Sequence, residues 1–302
     1  MVRFAAHLCA ALLTLFSAAS AAELTFQTVA GHGGLPLNVA VGGNEKGPPI
    51  LFIHGMGMSY LSFAPQYQSD LAKDFRIVAM DLRGHGNSGK PWKREDVQDS
   101  GIWADDVAAV IAAADLKKPV VVAWSFGGFV IADYVRKYGT EKLGGINFVG
   151  TIAGLVPQPP PVGAMSPEDL KRRMALQTGG DIRGNLQNIE ATTKLFEFPG
   201  ITPEYRQEMY LMGVMVPAYF RKAFMGRNLD HQDVTPKLTL PLLVTMGSHD
   251  VAQSADAFAR LQAALPKATY AVYDGVGHLP FAQDPARFNR ELAAFAKTAQ
   301  AP

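Results

Sequence analysis

The stretch Ala123-Trp124-Ser125-Phe126-Gly127-Gly128 constrains the fold of this chain more than any other feature. It follows a short apolar run, Pro119 to Val122, and precedes a segment with helical spacing from Phe129 to Tyr138. A serine with small residues two positions to either side, between a strand and a helix, is typical of a sharp turn that lifts the hydroxyl clear of a sheet. The start of a helix also favours developing negative charge. The pattern therefore predicts Ser125 as a candidate nucleophile, with a serine that merely caps a helix as the alternative.

Length and composition indicate a sizeable core and exclude one class of partner. The chain has 302 residues, of which 48% are hydrophobic and 18% charged. A chain of this size and apolar content can bury a large core in one domain or two. Its formal net charge is only +1, and no basic run interrupts the sequence. We therefore expect no nucleic-acid partner.

Residues 1–22 have the pattern of a signal peptide. A positive charge at Arg3 precedes an apolar run from Leu8 to Phe16, and the small residues Ala18 to Ala22 would suit cleavage. A membrane anchor is the alternative, but the apolar run is short for a bilayer span. The pattern predicts an exported protein, periplasmic or secreted, with no stable membrane anchor after cleavage. Cys9 is the only cysteine and lies in this segment, so the mature chain would have no disulfide.

Short apolar runs alternate with helical patterns along most of the remaining chain. The expected strands are 23–29, 37–41, 50–53, 75–80, 120–123, 147–152, 242–246 and 269–273. The expected helices are 59–73, 101–115, 129–138, 254–265 and 281–297. This alternation predicts an α/β fold with a mainly parallel central sheet flanked by helices.

The alternation stops at the proline cluster Pro157-Gln158-Pro159-Pro160-Pro161, which cannot continue a helix or a central strand. A helix-rich block follows before the strand pattern returns near residue 240. We interpret residues 155–236 as a helical cap inserted into the core. The core itself would comprise residues 23–154 and 237–302.

Two further residues could complete a nucleophilic site with Ser125. His278 lies in a loop after the last expected strand, between Gly277 and Leu279, where it could act as the base that a serine hydroxyl requires. Asp250 lies in a loop after the strand 242–246, where a carboxylate could orient the imidazole. The alternatives are a surface histidine and an aspartate that caps a turn. The chain order Ser, Asp, His is the one that α/β-hydrolases use.

Two backbone amides and three side chains complete the candidate site. The loop His54-Gly55-Met56-Gly57 follows an early buried strand, where a sheet of this kind carries one oxyanion donor. The second donor is the residue after the nucleophile, which assigns the N–H groups of Met56 and Phe126. His54 itself is expected to be a buried hydrogen-bonding residue. Substrate-pocket side chains are predicted as Met58, Trp124 and Leu279.

Together these motifs resemble the α/β-hydrolase superfamily over nearly all of residues 24–299. The segments around Ser125 and His54 resemble capped serine carboxylesterases, and the loop Asp81 to Gly89 resembles a structural signature of the family. The resemblance implies hydrolysis of a small-molecule carboxylic ester through an acyl-enzyme, without a metal or organic cofactor. Haloperoxidase-like perhydrolases are also similar, but they commonly carry proline where this chain has Gly57, which favours ester hydrolysis over peroxyacid chemistry.

Other activities on the same fold stay open. A serine C–C bond hydrolase or a lactonase would use the same three residues, and a non-catalytic small-molecule receptor would use the pocket without turnover. His231 and Asp233 do not have the spacing of a metal site. The sequence leaves the oligomeric state and the physiological substrate open.

Overall fold

A computed structural model of the chain describes residues 23–158, 166–250 and 252–300. The predicted signal peptide lies outside the described residues. Their strands are β1 (Thr25–Ala30), β2 (Pro36–Gly43), β3 (Pro49–Ile53), β4 (Arg76–Met80), β5 (Val120–Trp124), β6 (Gly145–Val149), β7 (Leu242–Gly247) and β8 (Thr269–Tyr273). They form one eight-stranded sheet in the order β1-β2-β4-β3-β5-β6-β7-β8.

The sheet is mainly parallel, as the alternating pattern predicts. Only β2 runs antiparallel to its neighbours, β1 and β4, whereas the pairs from β4 to β8 are all parallel. Every residue of β5, β6 and β7 is buried, because helices cover both faces. The carboxyl ends of these strands therefore meet at one edge of the sheet, where a site can form.

Helices pack on both faces of the sheet and form the insertion. They are α1 (Ala64–Tyr67), α2 (Leu71–Asp74), α3 (Glu95–Gln98), α4 (Ser100–Ala113), α5 (Phe126–Tyr138), α6 (Pro167–Thr178), α7 (Ile182–Lys194), α8 (Pro203–Val214), α9 (Ala218–Phe224), α10 (Ala255–Ala264), α11 (Pro280–Gln283) and α12 (Pro285–Ala299). Within the described ranges, no helix has both the length and the apolar character that a bilayer span requires.

The insertion consists of α6 to α9, which lie between β6 and β7 in the chain. This confirms the expected helical insertion, while its bounds at 155 and 236 stay a prediction. Helix α8 docks on the core through Tyr205, whose hydroxyl donates to Ser62 O at 2.8 Å. Helix α9 docks through Phe220, whose ring lies 5.3 Å from that of His85. The cap is therefore fixed to the core on two sides.

The expected single helix over residues 59–73 is wrong. The chain there forms a 3-10 turn, Tyr60–Phe63, and the two short helices α1 and α2. Pro65 near the start of α1 has no N–H to donate, which interrupts the helical hydrogen bonding at that point. The side chain of Gln66 instead donates to Phe281 O at 2.8 Å, which holds the segment against α11.

Candidate active site

Ser125 lies in a strained turn between β5 and α5. Its backbone has φ +51° and ψ −114°, a region that residues with side chains rarely occupy. The turn is held by hydrogen bonds from Ser125 N to Val149 O at 2.9 Å and from Gly128 N to Ser125 O at 3.0 Å. A side chain at Gly127 would overlap Ile53 O, so the close approach of the two backbones requires glycine. The serine is half-buried, so its side chain retains access to solvent.

Asp250 and His278 form a buried pair at the carboxyl ends of β7 and β8. His278 Nδ1 lies 2.8 Å from Asp250 Oδ2 and 3.0 Å from Oδ1. Because a carboxylate only accepts hydrogen bonds, this contact places the proton on Nδ1 and leaves Nε2 as the acceptor. The pair therefore has the tautomer that a general base needs.

Two neighbours connect this pair to the serine turn. Trp124, the residue before Ser125, donates from Nε1 to His278 O at 2.9 Å. Gly150, the residue after β6, lies against the pair: a side-chain carbon added there would lie 3.1 Å from His278 Nδ1 and 3.2 Å from Asp250 Oδ2. The structure thus brings the three predicted residues to one edge of the sheet. Ser125 Oγ makes no hydrogen bond to the described residues in this conformation.

The two predicted oxyanion donors also lie at this edge. A side-chain carbon at Gly55 would lie 3.1 Å from Ser125 Cβ, so the loop after β3 passes directly beside the serine. Neither Met56 N nor Phe126 N donates a hydrogen bond to another part of the described chain. Unpaired backbone N–H groups beside a serine can stabilise a developing oxyanion.

Comparisons with known proteins agree with this geometry. The model of the alpha/beta hydrolase family matches residues 50–291. This chain belongs to that family. Its structure is similar to that of a Burkholderia cenocepacia protein assigned as an aryl esterase, at a TM-score of 0.82 and 29% identity, covering 91% of this chain and 99% of that one.

Two further relatives extend the range of activities among similar proteins. The crystal structure of an esterase from Rhodococcus is similar at a TM-score of 0.78 and 28% identity, covering 91% of this chain and 99% of that one. A non-heme chloroperoxidase from Streptomyces lividans is 28% identical over 269 residues, which are 85% of this chain and 94% of the relative. The group to which this alpha/beta hydrolase is similar therefore includes both esterases and haloperoxidases.

The three predicted pocket residues of this alpha/beta hydrolase lie behind the site. Leu279 is 0%, Trp124 1% and Met58 4% exposed, and all belong to one apolar cluster with Met209 and Met212 of the cap. Side chains with so little accessible surface support the loops in this conformation and do not present a face to substrate. The expectation that they line the substrate pocket stays a prediction.

Phe196 is a site residue that the sequence analysis missed. It follows α7 in the cap, and its ring stacks on His278 with centroids 5.4 Å apart and an angle of 16° between the planes. The ring of Trp124 lies 5.7 Å from the His278 ring. The imidazole is thus held between one aromatic ring from the cap and one from the core. The only local signal was the aromatic pair Phe196 and Phe198 before Pro199-Gly200.

Two other buried histidines of this hydrolase are structural. His54 Nδ1 donates to Gly55 O at 2.7 Å, and its Nε2 accepts from Leu82 N at 3.0 Å. Burial lowers the pKa of His54 to about 4. His85 donates from Nδ1 to Arg83 O at 2.9 Å, and burial lowers its pKa to about 3. Both are neutral near pH 7, and the expected structural role of His54 is confirmed.

The loop Asp81 to Gly89 ties the first half of the core together. The Asp81 carboxylate accepts from Tyr60 N at 2.7 Å, Asn38 Nδ2 at 2.8 Å and Asn87 N at 2.9 Å. Desolvation nevertheless raises the pKa of Asp81, because burial outweighs these bonds. The loop thus supports the segment Tyr60–Phe63 on which the cap docks.

Proposed function

We propose that this protein hydrolyses carboxylic esters of small to medium apolar substrates through an acyl-enzyme on Ser125. The observation that carries the proposal is the strained turn at Ser125 beside the buried Asp250–His278 pair. Strain of this kind persists at functional sites because the surrounding structure enforces it. The esterases among the similar structures support the same reaction class.

In the proposed mechanism, His278 Nε2 removes the Ser125 proton as Oγ attacks the ester carbonyl carbon. The carbonyl oxygen becomes an oxyanion that accepts from the amides of Met56 and Phe126. The imidazolium, stabilised by Asp250, then protonates the leaving alcohol as the C–O bond breaks. A water molecule, deprotonated by His278, attacks the acyl-enzyme and releases the carboxylic acid and free Ser125.

The mechanism requires one change from the described conformation. Ser125 Oγ must turn towards His278 Nε2, because no hydrogen bond joins these atoms in the described structure. Catalytic hydrogen bonds of free enzymes are often long or absent and form with the substrate. The His278 side chain is already held by Asp250 and Phe196, and its backbone carbonyl by Trp124.

An apolar substrate is supported by the surroundings of the site. Phe196 of the cap is only partly buried and stacks on His278, whereas the buried cap methionines Met209 and Met212 pack behind the catalytic loops. An aromatic ring beside the base suits an apolar acyl or aryl group of moderate size.

The first experiment measures turnover of p-nitrophenyl esters from acetyl to palmitoyl. Wild type should turn over many times, whereas Ser125→Ala and His278→Ala should each lose nearly all activity while remaining folded, as their circular dichroism would show. Ser254→Ala is the matched control, because Ser254 only caps α10. Full activity in Ser125→Ala would overturn the mechanism.

The same protein preparation distinguishes the alternatives. An acyl burst without turnover would favour a receptor, and faster cleavage of a dienone or a lactone would favour a C–C hydrolase or a lactonase. The chloroperoxidase relative makes peroxyacid formation a second candidate. It is tested with acetate and hydrogen peroxide in wild type and Gly57→Pro. Gly57 has φ +80°, which proline cannot adopt, so this loop cannot have the conformation of a loop with proline at that position. Because perhydrolases commonly carry that proline, we expect hydrolysis to dominate in wild type.

We also propose that the protein is exported to the periplasm or secreted. The charge at Arg3, the apolar run and the small residues up to Ala22 support this proposal. N-terminal sequencing of the protein recovered outside the cytoplasm should begin near residue 22 or 23. A chain that retains Met1 and stays in the cytoplasm would overturn it.

A further inference from the structure

The cap contains a cavity that the proposed mechanism does not use. It lies among the turn after α6, helix α7, the end of α8 and helix α9, and its volume is about 660 Å³. This is within the range of roughly 300–1,000 Å³ that small-molecule sites occupy. Its lining is mainly apolar and includes Ile182, Ile189, Val214, Val216 and Tyr219.

The apolar lining extends to the protein surface. Ile182 is 73% exposed, Tyr219 49% and Val214 42%. Large apolar side chains clustered at the surface commonly mark a binding site. The inner wall lies close to the catalytic loops, because a side-chain carbon at Gly213 would lie 2.7 Å from Ile189 Cγ2 and 3.9 Å from Gly57 O.

The charged side chains that line the cavity are all basic. Arg221 and Lys222 line it, and none of the lining residues is acidic. Arg221 is half-buried, and its Nε has no hydrogen-bond partner among the described residues. Its Nη2 contacts only Asn185 Oδ1, at 3.4 Å, while the Asn185 amide nitrogen is engaged by Gly179 O at 2.9 Å and two other carbonyls.

A guanidinium in this position lacks a counter-ion within the described chain. No carboxylate of the described residues forms an ion pair with Arg221, and burial lowers the pKa of its guanidinium, although arginine stays protonated. A desolvated charge without a partner is unfavourable unless an anion joins it. The guanidinium is also suited to a carboxylate, which it can bind through two parallel hydrogen bonds.

We infer that this cap cavity binds a single-chain amphiphile with a carboxylate head, the head on Arg221 and the aliphatic chain along the exposed lining residues Ile182, Val214 and Tyr219. The site is separate from Ser125, so it does not depend on the proposed ester hydrolysis. A linear fatty acid of about ten to twelve carbons has the required combination of an apolar chain and one anionic end.

The test is a calorimetric titration of the full protein with dodecanoate below its micelle concentration. Wild type should bind one molecule saturably, and dodecylammonium, with the same chain and the opposite charge, should bind at least about tenfold more weakly. Arg221→Gln should weaken dodecanoate binding by about ten- to a hundredfold, the effect of losing a hydrogen bond to a charged group. Lys171→Gln is the matched control, because Lys171 is an exposed cation of the cap that does not line the cavity.

A second variant tests the same cavity in case Arg221→Gln fails to fold. Ile182→Asp introduces a negative charge at an exposed position, so it should preserve the Tm and the hydrolysis of a short ester but lose dodecanoate binding. Equal binding by dodecylammonium, or unchanged binding in both variants, would overturn the inference. Association only with anionic lipid vesicles, without saturable binding of the free acid, would also overturn it.

Discussion

Acidification should destabilise this protein through two buried histidines that the proposed mechanism does not use. His54 and His85 are completely buried, and their pKa values are about 4 and about 3 in the folded state. In the unfolded chain both pKa values return to about 6.5. Below pH 6.5 the unfolded state therefore binds protons that the folded state excludes. The free energy of unfolding must fall as the pH falls through this range.

The size of the effect follows from the pKa values. One pKa unit corresponds to about 1.4 kcal/mol. At pH 5, each imidazole lies about 1.5 pH units below its unfolded pKa of about 6.5 and above its folded pKa, so each contributes a loss of about 2 kcal/mol. Together they remove about 4 kcal/mol between pH 7.5 and pH 5. Typical domains have only about 5–15 kcal/mol in total, so the loss is large.

Urea unfolding at pH 7.5 and pH 5.0 measures this loss. His54→Gln and His85→Gln each remove one titrating group, so each variant should lose about 2 kcal/mol less than wild type over the same range. His249→Gln is the matched control, because this imidazole is exposed and should leave the loss unchanged. The raised pKa of Asp81 acts in the opposite direction, so the differences between variants carry the test. Equal losses in wild type and both buried-site variants would refute the reasoning.

Three further predictions concern the surroundings of the site. Gly127→Ala should reduce kcat/KM for p-nitrophenyl acetate at least about tenfold and lower the Tm, because the added methyl overlaps the neighbouring strand. Arg227→Met should lower the urea-derived free energy of unfolding by about 3 kcal/mol, the lower end of the range for a broken buried ion pair, because the buried carboxylate of Asp133 keeps only His231 at 2.7 Å and Arg136 at 3.9 Å; a milder loss in Arg227→Met with Asp133→Asn would support this cause. Phe196→Ala should lower kcat/KM about two- to tenfold, which corresponds to the loss of one aromatic contact, because the ring orients His278; a lower Tm should accompany this loss, because the ring also packs against the core.

Local chemistry explains why the core of the candidate site was predictable. The turn at Ser125 tolerates few residue types, because Gly127 passes against the backbone of Ile53 and Ser125 has a positive φ. Such a constraint selects the residue types at consecutive positions, so it can be recognised from the sequence. The loops with Asp250 and His278 follow strands with clear apolar patterns, so their position at one edge of the sheet follows from the topology.

The missed features depend on residues distant in the chain. Phe196 reaches His278 only because the cap folds back over the core. The spacing of these two residues in the sequence does not predict that contact. The break in the helix expected over residues 59–73 has a local cause in Pro65, but the bond that holds the segment is distant, since Gln66 donates to Phe281, 215 positions away in the chain. The pocket residues stay a prediction for a related reason, since an apolar side chain beside a nucleophile can face the substrate or the core. The residues that pack around the side chain, which are distant in the chain, determine whether it faces the substrate or the core.

The way the cap is fixed explains why the reaction class follows from the sequence while the substrate does not. Tyr205 holds the cap to the segment after the oxyanion loop, and Phe196 holds it to the histidine loop. Both contacts form between cap and core, so a change in the cap alters the surroundings of Ser125 without changing any catalytic motif. The reaction depends on Ser125 and its partners in the core, whereas the substrate is selected where the cap meets them. Exchanging cap residues around Phe196 should therefore shift the preferred acyl length, and exchanging Ser125 should abolish hydrolysis at every length.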